Sequence, residues 1–201
     1  KAIAAHPRAR LRTICSTPRS KGIAQDLMAA HGPEQVSTSY DDVLSDSEVE
    51  IVYLCTPNSQ HVVQTVAALE AGKHAFVEKP LAVTVDECQK IVDAARSSGQ
   101  QVMVGHGARF SNVFETIHKL VHDGTLGEAC FVEGDYIHDL KPFLPLPGHD
   151  WWMDPEKEGQ LPIIGGACHP LDLMRWIAGE IVEVSAYGVN KNIPEAPWYD
   201  T

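Results

Sequence analysis

Ile51-Val52-Tyr53-Leu54-Cys55-Thr56-Pro57-Asn58-Ser59-Gln60-His61, followed by Ala75-Phe76-Val77-Glu78-Lys79-Pro80, decides the fold. Each run is apolar, with β-branched and aromatic residues, and stops abruptly at polar residues and a proline. That is the pattern of a buried parallel strand that delivers polar groups at its carboxyl end. Between the runs, Val62, Val63, Val66 and Leu69 share one helical face, Asn58 or Ser59 can cap the start, and Gly72 can end the helix. The unit reads as strand, helix, strand, and ligands of open α/β sheets bind beyond the carboxyl ends of such strands. Lys79 therefore arrives at the sheet edge one residue before a proline that removes a backbone donor. A lysine alone in such a place is more often a solvated strand end. The neighbouring Thr56-Pro57-Asn58 turn favours a functional role.

Composition bounds what this unit can serve. With 201 residues, 44% apolar and 21% charged, the chain has a globular composition large enough for one core and part of another. A formal net charge of -11 argues against duplex nucleic acid or an anionic membrane as the main partner, since both reward dense positive charge. No apolar run reaches the length of a membrane span, and no basic-then-apolar leader precedes the first elements. Cys15, Cys55, Cys88, Cys130 and Cys168 are scattered without a Cys-x-x-Cys pair. They read as small buried side chains in a reducing cytoplasm.

Three stretches together resemble the Gfo/Idh/MocA family of nicotinamide-dependent oxidoreductases: Thr56-Pro57-Asn58 with His61; Gly72-Lys73-His74 leading into Glu78-Lys79-Pro80; and Gly165-Gly166-Ala167-Cys168-His169-Pro170-Leu171-Asp172 before Arg175-Trp176. The resemblance spans nearly the whole chain. It implies an α/β fold: a Rossmann-like doubly wound parallel sheet over residues 1–105, followed from 106 to 201 by the start of an α+β substrate and oligomerisation domain with an open sheet. It also implies a homo-oligomer in the full-length protein.

In a dinucleotide fold the first strand should end in a glycine-rich turn that brings the backbone to the pyrophosphate. The chain instead opens on the end of a helix, Lys1 to His6, before a strand at Leu11 to Cys15. The expectation is a sequence that starts inside the first helix, with strand edges left unpaired where a central strand is missing. After the Leu11–Cys15 strand, Ser16, Thr17, Arg19 and Lys21 stand where a carboxylate usually pairs with the NAD ribose. Hydroxyls beside cations suit a 2′-phosphate, so NADP is slightly favoured over NAD. The plain alternative is that Arg19 and Lys21 decorate the first turn of the helix running to Ala30.

Farther along, Gln35 to Thr38 reads as a strand, and Tyr40 to Leu44 as a helix that Ser39 caps with Asp42. Thr84-x-x-Glu87 is a capping box for a helix that faces inward through Cys88, Ile91, Val92 and Ala95 and ends near Gly99. Val102 to Val104 follows as a strand. A helix is predicted from about Asn112 to His122, strands over Glu128 to Ile137 and Ile181 to Val189, and a helix over Gly166 to Gly179 with Leu171, Met174 and Ile177 inward. The long proline-rich loop from 138 to 163 is functional more often than filler. Its Trp151 and Trp152 offer aromatic faces to a sugar, or pin the loop to the domain.

Oxidation of a carbinol needs a base for the hydroxyl proton while hydride leaves toward the nicotinamide. His169 is the best base, because its unperturbed pKa lies near neutrality. Lys79 can donate to the same oxygen, and Asp172 can orient the imidazole or serve as a helix-surface partner. The resemblance gives Thr56, Pro57, Asn58, His61, Glu78 and Lys79 to the cofactor, and makes Arg109 a substrate contact or an ion-pair partner in the interdomain seam. One departure stands out: many relatives carry an aspartate four residues before the histidine, and that position is Gly165 here. A metal site from His138, His149, His169, Asp139 and Asp150 matches no standard spacing and is not expected. A polyol or sugar dehydrogenase is the leading reading. A glycoside hydrolase that retains its nicotinamide and a non-catalytic dinucleotide-binding sensor are the alternatives.

Overall fold

The computed structural model describes residues 2–158 and 161–200. In chain order the elements are α1 (Ala2–Ala5), β1 (Thr13–Cys15), α2 (Lys21–His31), β2 (Gln35–Ser37), α3 (Tyr40–Ser45), β3 (Ile51–Leu54), α4 (His61–Glu70), β4 (His74–Val77), α5 (Val85–Ser98), β5 (Val102–Val104), α6 (Asn112–His122) and α7 (Cys168–Ala178). All pairings are parallel: β1 with β2, and separately β3-β4-β5, with Leu54 level with Val77 and Val77 with Val104. The Rossmann-like α/β class is thus present as a two-stranded and a three-stranded sheet.

Helix α4 carries the chain from β3 back to the start of β4. His61, Val62, Thr65, Ala68 and Leu69 are buried on its inner face, whereas Val63 is exposed, one residue off the stripe. Val52, Leu54, Ala68, Ala75 and Val77 form the main cluster with Val43 and Val49, and Ile91 of α5 closes a second with Val62 and Ala82. The strands are not buried on both faces. Ile51, Tyr53 and Met103 are exposed on the far side, where the Tyr53 and Phe76 rings stack at 4.6 Å.

Local signals decide the ends. Thr84 and Glu87 make the capping box, and Gly99 closes α5 in the left-handed region at φ 71°. At α3 the predicted Ser39 cap is replaced: Ser37 Oγ accepts the Ser39 N–H at 2.9 Å and donates to Asp42 at 2.5 Å. Helix α4 is entered through a turn of 3-10 helix, Asn58–Gln60, and neither Asn58 nor Ser59 caps it by side chain.

The second half differs more. Residues 128–137 and 181–189 form no strand, and Phe131, Ile137, Val182 and Tyr187 lie in solvent. Alternation supplies a face, but a ladder also needs a partner strand, and none is present among the described residues. What packs is α6 on α7, with Trp176 stacked on His118 at 4.0 Å, and a small cluster of Ile193, Ala196 and Trp198 against Leu140, Leu144, Trp152 and Met153. In α7 the buried residue is Leu173 rather than Leu171, which is exposed. Cysteine exposure also differs from expectation: Cys15, Cys55 and Cys130 are exposed, and none of the cysteines is paired. No helix among the described residues is long and apolar enough to cross a membrane.

Candidate active site

Strands β3 and β4 end level with one another, so the turns that follow, Thr56-Pro57-Asn58 and Glu78-Lys79-Pro80, stand side by side. His61 ties them together. Fully buried, it sets Nδ1 2.8 Å from Pro80 O and Nε2 2.9 Å from Thr56 O. Thr56 Oγ1 donates to Gln64 at 2.7 Å, and the Lys79–Pro80 peptide is cis. Glu78 accepts the Tyr53 hydroxyl at 2.5 Å and the Lys79 N–H at 3.3 Å. Burial and then that carboxylate push the Tyr53 phenol up.

These turns wall a cavity of about 390 Å³. Thr56, Asn58, His61, Glu78, Lys79 and Pro80 line it on the side of the β3–β4 turns; Tyr136, His138, Trp151, Trp152, Glu158, Gly165, Gly166 and Asp200 line it on the other side. Lys79 Nζ crosses the cavity wall to donate to Gly165 O at 2.6 Å. Gly165 sits in a π-helical turn, Leu161–Ala167, that feeds into α7. Such turns break the regular helical hydrogen bonding and recur at functional sites. A Cβ at Gly166 would lie 2.7 Å from the Tyr136 ring, so only glycine admits that ring to the wall.

His169 does not itself line the cavity. Its ring stacks on Tyr136 at 5.9 Å, and the charge of Lys79 reaches it. Burial, then the charges of Lys79 and His106, lower its pKa below the ordinary histidine value, against opposing pulls from Asp172 and Glu78. The imidazole is therefore neutral at pH 7, the form a base requires.

Two sequence assignments are redirected. Asp172 does not orient His169: its carboxylate takes Arg109 Nε at 2.8 Å and Nη2 at 2.6 Å. Burial pushes the Asp172 carboxyl up, but the Arg109 hydrogen bonds and the charges of His106, Arg109 and Arg175 outweigh it and hold the carboxyl below its usual range. Arg109 also lies 5.4 Å over the Trp176 ring. Its fork is thus spent on α7, and it fixes the helix that carries His169 instead of opening toward a ligand.

The residues fit a nicotinamide at the β3–β4 end. Ser16, Thr17, Arg19 and Lys21 lie apart from the cavity at the end of β1. Ser16 and Thr17 are engaged locally, and the Arg19 and Lys21 side chains are exposed without an ion pair among the described residues. Pro57 opens the 3-10 turn before α4. His149 stacks on Trp152 at 4.2 Å, Trp151 meets Trp152 edge-on, and the Trp198 indole donates to Trp152 O, so the tryptophans both pin the loop and wall the cavity. No group that could hold a metal ion occurs among the described residues; the side chain of Asp150 lies outside them.

Sequence reasoning missed Glu158 and Tyr136. The signal for Tyr136 was an aromatic near the end of an alternating run that also carries Phe131. Glu158 carried no distinguishing signal, since the same loop also holds Asp139, Asp150, Asp154 and Glu156.

The sequence profile of the oxidoreductase family with an NAD-binding Rossmann fold matches residues 1–106, and that of the GFO/IDH/MocA C-terminal domain matches residues 114–200. The chain is 32% identical over 148 residues to the 1-carboxy-3-chloro-3,4-dihydroxycyclohexa-1,5-diene dehydrogenase of Comamonas testosteroni, covering 73% of this chain and 36% of that protein. It is 38% identical over 138 residues to a glycosyl hydrolase family 109 protein of Shewanella putrefaciens, covering 65% and 30%. A levoglucosan dehydrogenase structure, in complex with NADH and levoglucosan, superposes with a TM-score of 0.78 at 26% identity over 86% of this chain and 45% of that one. The chain thus spans about a third of the length of these curated relatives. With both profiles matched in order along the chain, it belongs to the Gfo/Idh/MocA oxidoreductase family.

Proposed function

We propose that the complete protein is a nicotinamide-dependent dehydrogenase or reductase acting on a CH–OH group of a sugar, cyclitol or related polyol. The observation that carries this reading is Lys79, held by β4 in a cavity whose other walls are hydroxyl, amide, carboxyl and aromatic groups. Those walls suit a hydroxyl-rich ligand. A nicotinamide bound against Thr56, Asn58 and Glu78 supplies the acceptor or donor of hydride. Lys79 then donates to the reacting oxygen in place of Gly165 O and stabilises its developing charge. Neutral His169 is assigned the hydroxyl proton, taken in oxidation and returned in reduction; because its ring stacks on Tyr136 and does not line the cavity, this role requires the substrate hydroxyl or a bridging water to reach past the Tyr136 ring. Arg109 and Asp172 position α7 for that transfer. Arg19 and Lys21 favour NADP slightly over NAD.

A panel of sugars and polyols offered to the complete gene product with each cofactor, and followed by nicotinamide absorbance, tests the reading. Cofactor reduction with at least one polyol is expected, and its absence across the panel overturns it. Comparing dissociation constants for NADP and NAD tests the cofactor preference, which a clear NAD preference reverses. The second reading, a glycoside hydrolase with a retained nicotinamide, draws on the similarity to a glycosyl hydrolase family 109 protein. Glycoside cleavage without net cofactor reduction would select it.

A further inference from the structure

Glu158 is 2% exposed although it lies in a surface turn, Asp154–Glu158, whose other side chains include the exposed Glu156 and Lys157. Carboxylates are rarely so buried without strong partners. Its carbonyl accepts Asn58 Nδ2 at 3.2 Å and its Oε2 accepts the same amide at 2.8 Å, while the Ser59 N–H donates to Lys157 O at 3.1 Å. Main chain and side chain together anchor this turn to the Thr56-Pro57-Asn58 turn. The second carboxyl oxygen, Oε1, has no donor among the described residues, and Glu158 lines the cavity. A carboxylate buried for structure alone would be saturated with donors. One left half-satisfied at the wall of a polar cavity is arranged for a ligand.

The other carboxylates near the cavity are committed, Asp200 among them, which lines the wall and accepts the Lys191 and Ile193 N–H groups. Glu78 receives the Tyr53 hydroxyl and the Lys79 N–H, Asp172 receives Arg109, and position 165 is a glycine whose carbonyl receives Lys79. Resting on the polyol reading of this same site, we propose that Glu158 hydrogen-bonds one hydroxyl of the substrate through Oε1 and so selects which carbinol is presented to Lys79 and His169. Burial pushes its carboxyl up to about 7, with Asn58 and the charge of Lys79 pulling the other way. Near neutrality the group can accept from a hydroxyl or donate to one, which suits vicinal diols.

Deletion of single substrate hydroxyls tests this in the complete gene product. The wild type should prefer a parent polyol over the deoxy analogue lacking the hydroxyl held by Glu158 by roughly 10- to 100-fold in kcat/KM, the range of a hydrogen bond to a charged group. Glu158→Ala should lose that preference at one hydroxyl position and keep it at the others. Glu158→Gln keeps an acceptor for Asn58 and, with an unchanged melting temperature, should retain part of the preference. A uniform loss across all polyols, or discrimination unchanged at every position, overturns the proposal. If no polyol is turned over, polyol binding to the NADH complex, read from Trp151 and Trp152 fluorescence, supplies the same comparison. Position-specific loss in binding then supports Glu158 while the oxidoreductase reading fails, and no polyol binding at all overturns both.

Discussion

Residues 51–104 and residues 128–189 both carry runs that favour strands, yet only the first builds a sheet. In the first region each strand meets its partner one helix later, as Ile51 meets His74 and Ala75 meets Val102, and the intervening helix buries the shared face. In the second, Val182 is 97% and Tyr187 fully exposed along a segment with no ladder. The same residue types are core in one place and solvent-facing in the other because a strand is completed by its neighbour rather than by its own sequence. The cavity lies where the two regions meet. The sheet sets the height of Lys79, and loops hung on α7 and on the Trp198 cluster bring the opposing wall.

The comparison can be broken at several points. Lys79→Met in the complete protein should lower kcat by about 10²- to 10⁴-fold, with the cofactor dissociation constant within about threefold, since one donor to the reacting oxygen is lost. Wild-type turnover would remove the sheet edge from the chemistry. Leu69→Ala, at a side chain 1% exposed, should cost roughly 2–5 kcal/mol in urea unfolding. Val182→Thr should stay within about 0.5 kcal/mol. Equal costs at the two positions would mean the second region is packed as tightly as the first.

A smaller effect is pH-dependent. Glu158 binds its proton up to about pH 7 when folded but only up to about 4.5 when unfolded, so the folded state holds more protons in that window and stability falls as pH rises through it. Glu158→Gln should flatten that slope in melting temperature against pH; an unchanged slope would place the titration elsewhere. His169 works in the opposite sense. Its lowered pKa means that stability falls on acidification below about pH 6.5, and His169→Gln should reduce that loss. Thr84→Ala is expected to cost about 1 kcal/mol in urea unfolding from loss of the α5 cap, more than Val182→Thr and less than Leu69→Ala.

What was legible in the sequence follows how local each cause is. The Thr84 box, the Gly99 stop and the bounds of α6 are decided within a turn of chain, and all appear as read. The Thr-Pro-Asn and Glu-Lys-Pro turns were legible because a strand followed by a polar stop is itself a local pattern. Glu158 was not, because its burial depends on Asn58, distant in the chain. That Arg109 meets a carboxylate rather than a ligand was one of two open readings, but its partner Asp172 was not read, for the same reason: only the docking of α7 brings the two together. The strands expected over 128–137 and 181–189 failed on partners that no window of sequence contains.

Lys73 looks like an ordinary surface residue between a glycine and a histidine, but it is 5% exposed and its ammonium is bound by the carbonyls of Asp46 and Val49, at 2.7 and 2.9 Å. This side chain joins the loop entering β3 to the first residues of β4 at the amino ends of both strands. Slippage of either strand would have to pull a buried ammonium off both carbonyl oxygens. The alignment of Thr56 with Lys79 at the opposite ends is therefore anchored a full strand length away, and a Lys73→Met variant of the complete protein would betray the slackened anchor first at those turns, as lost turnover under the proposed function, with its melting curve as the second symptom.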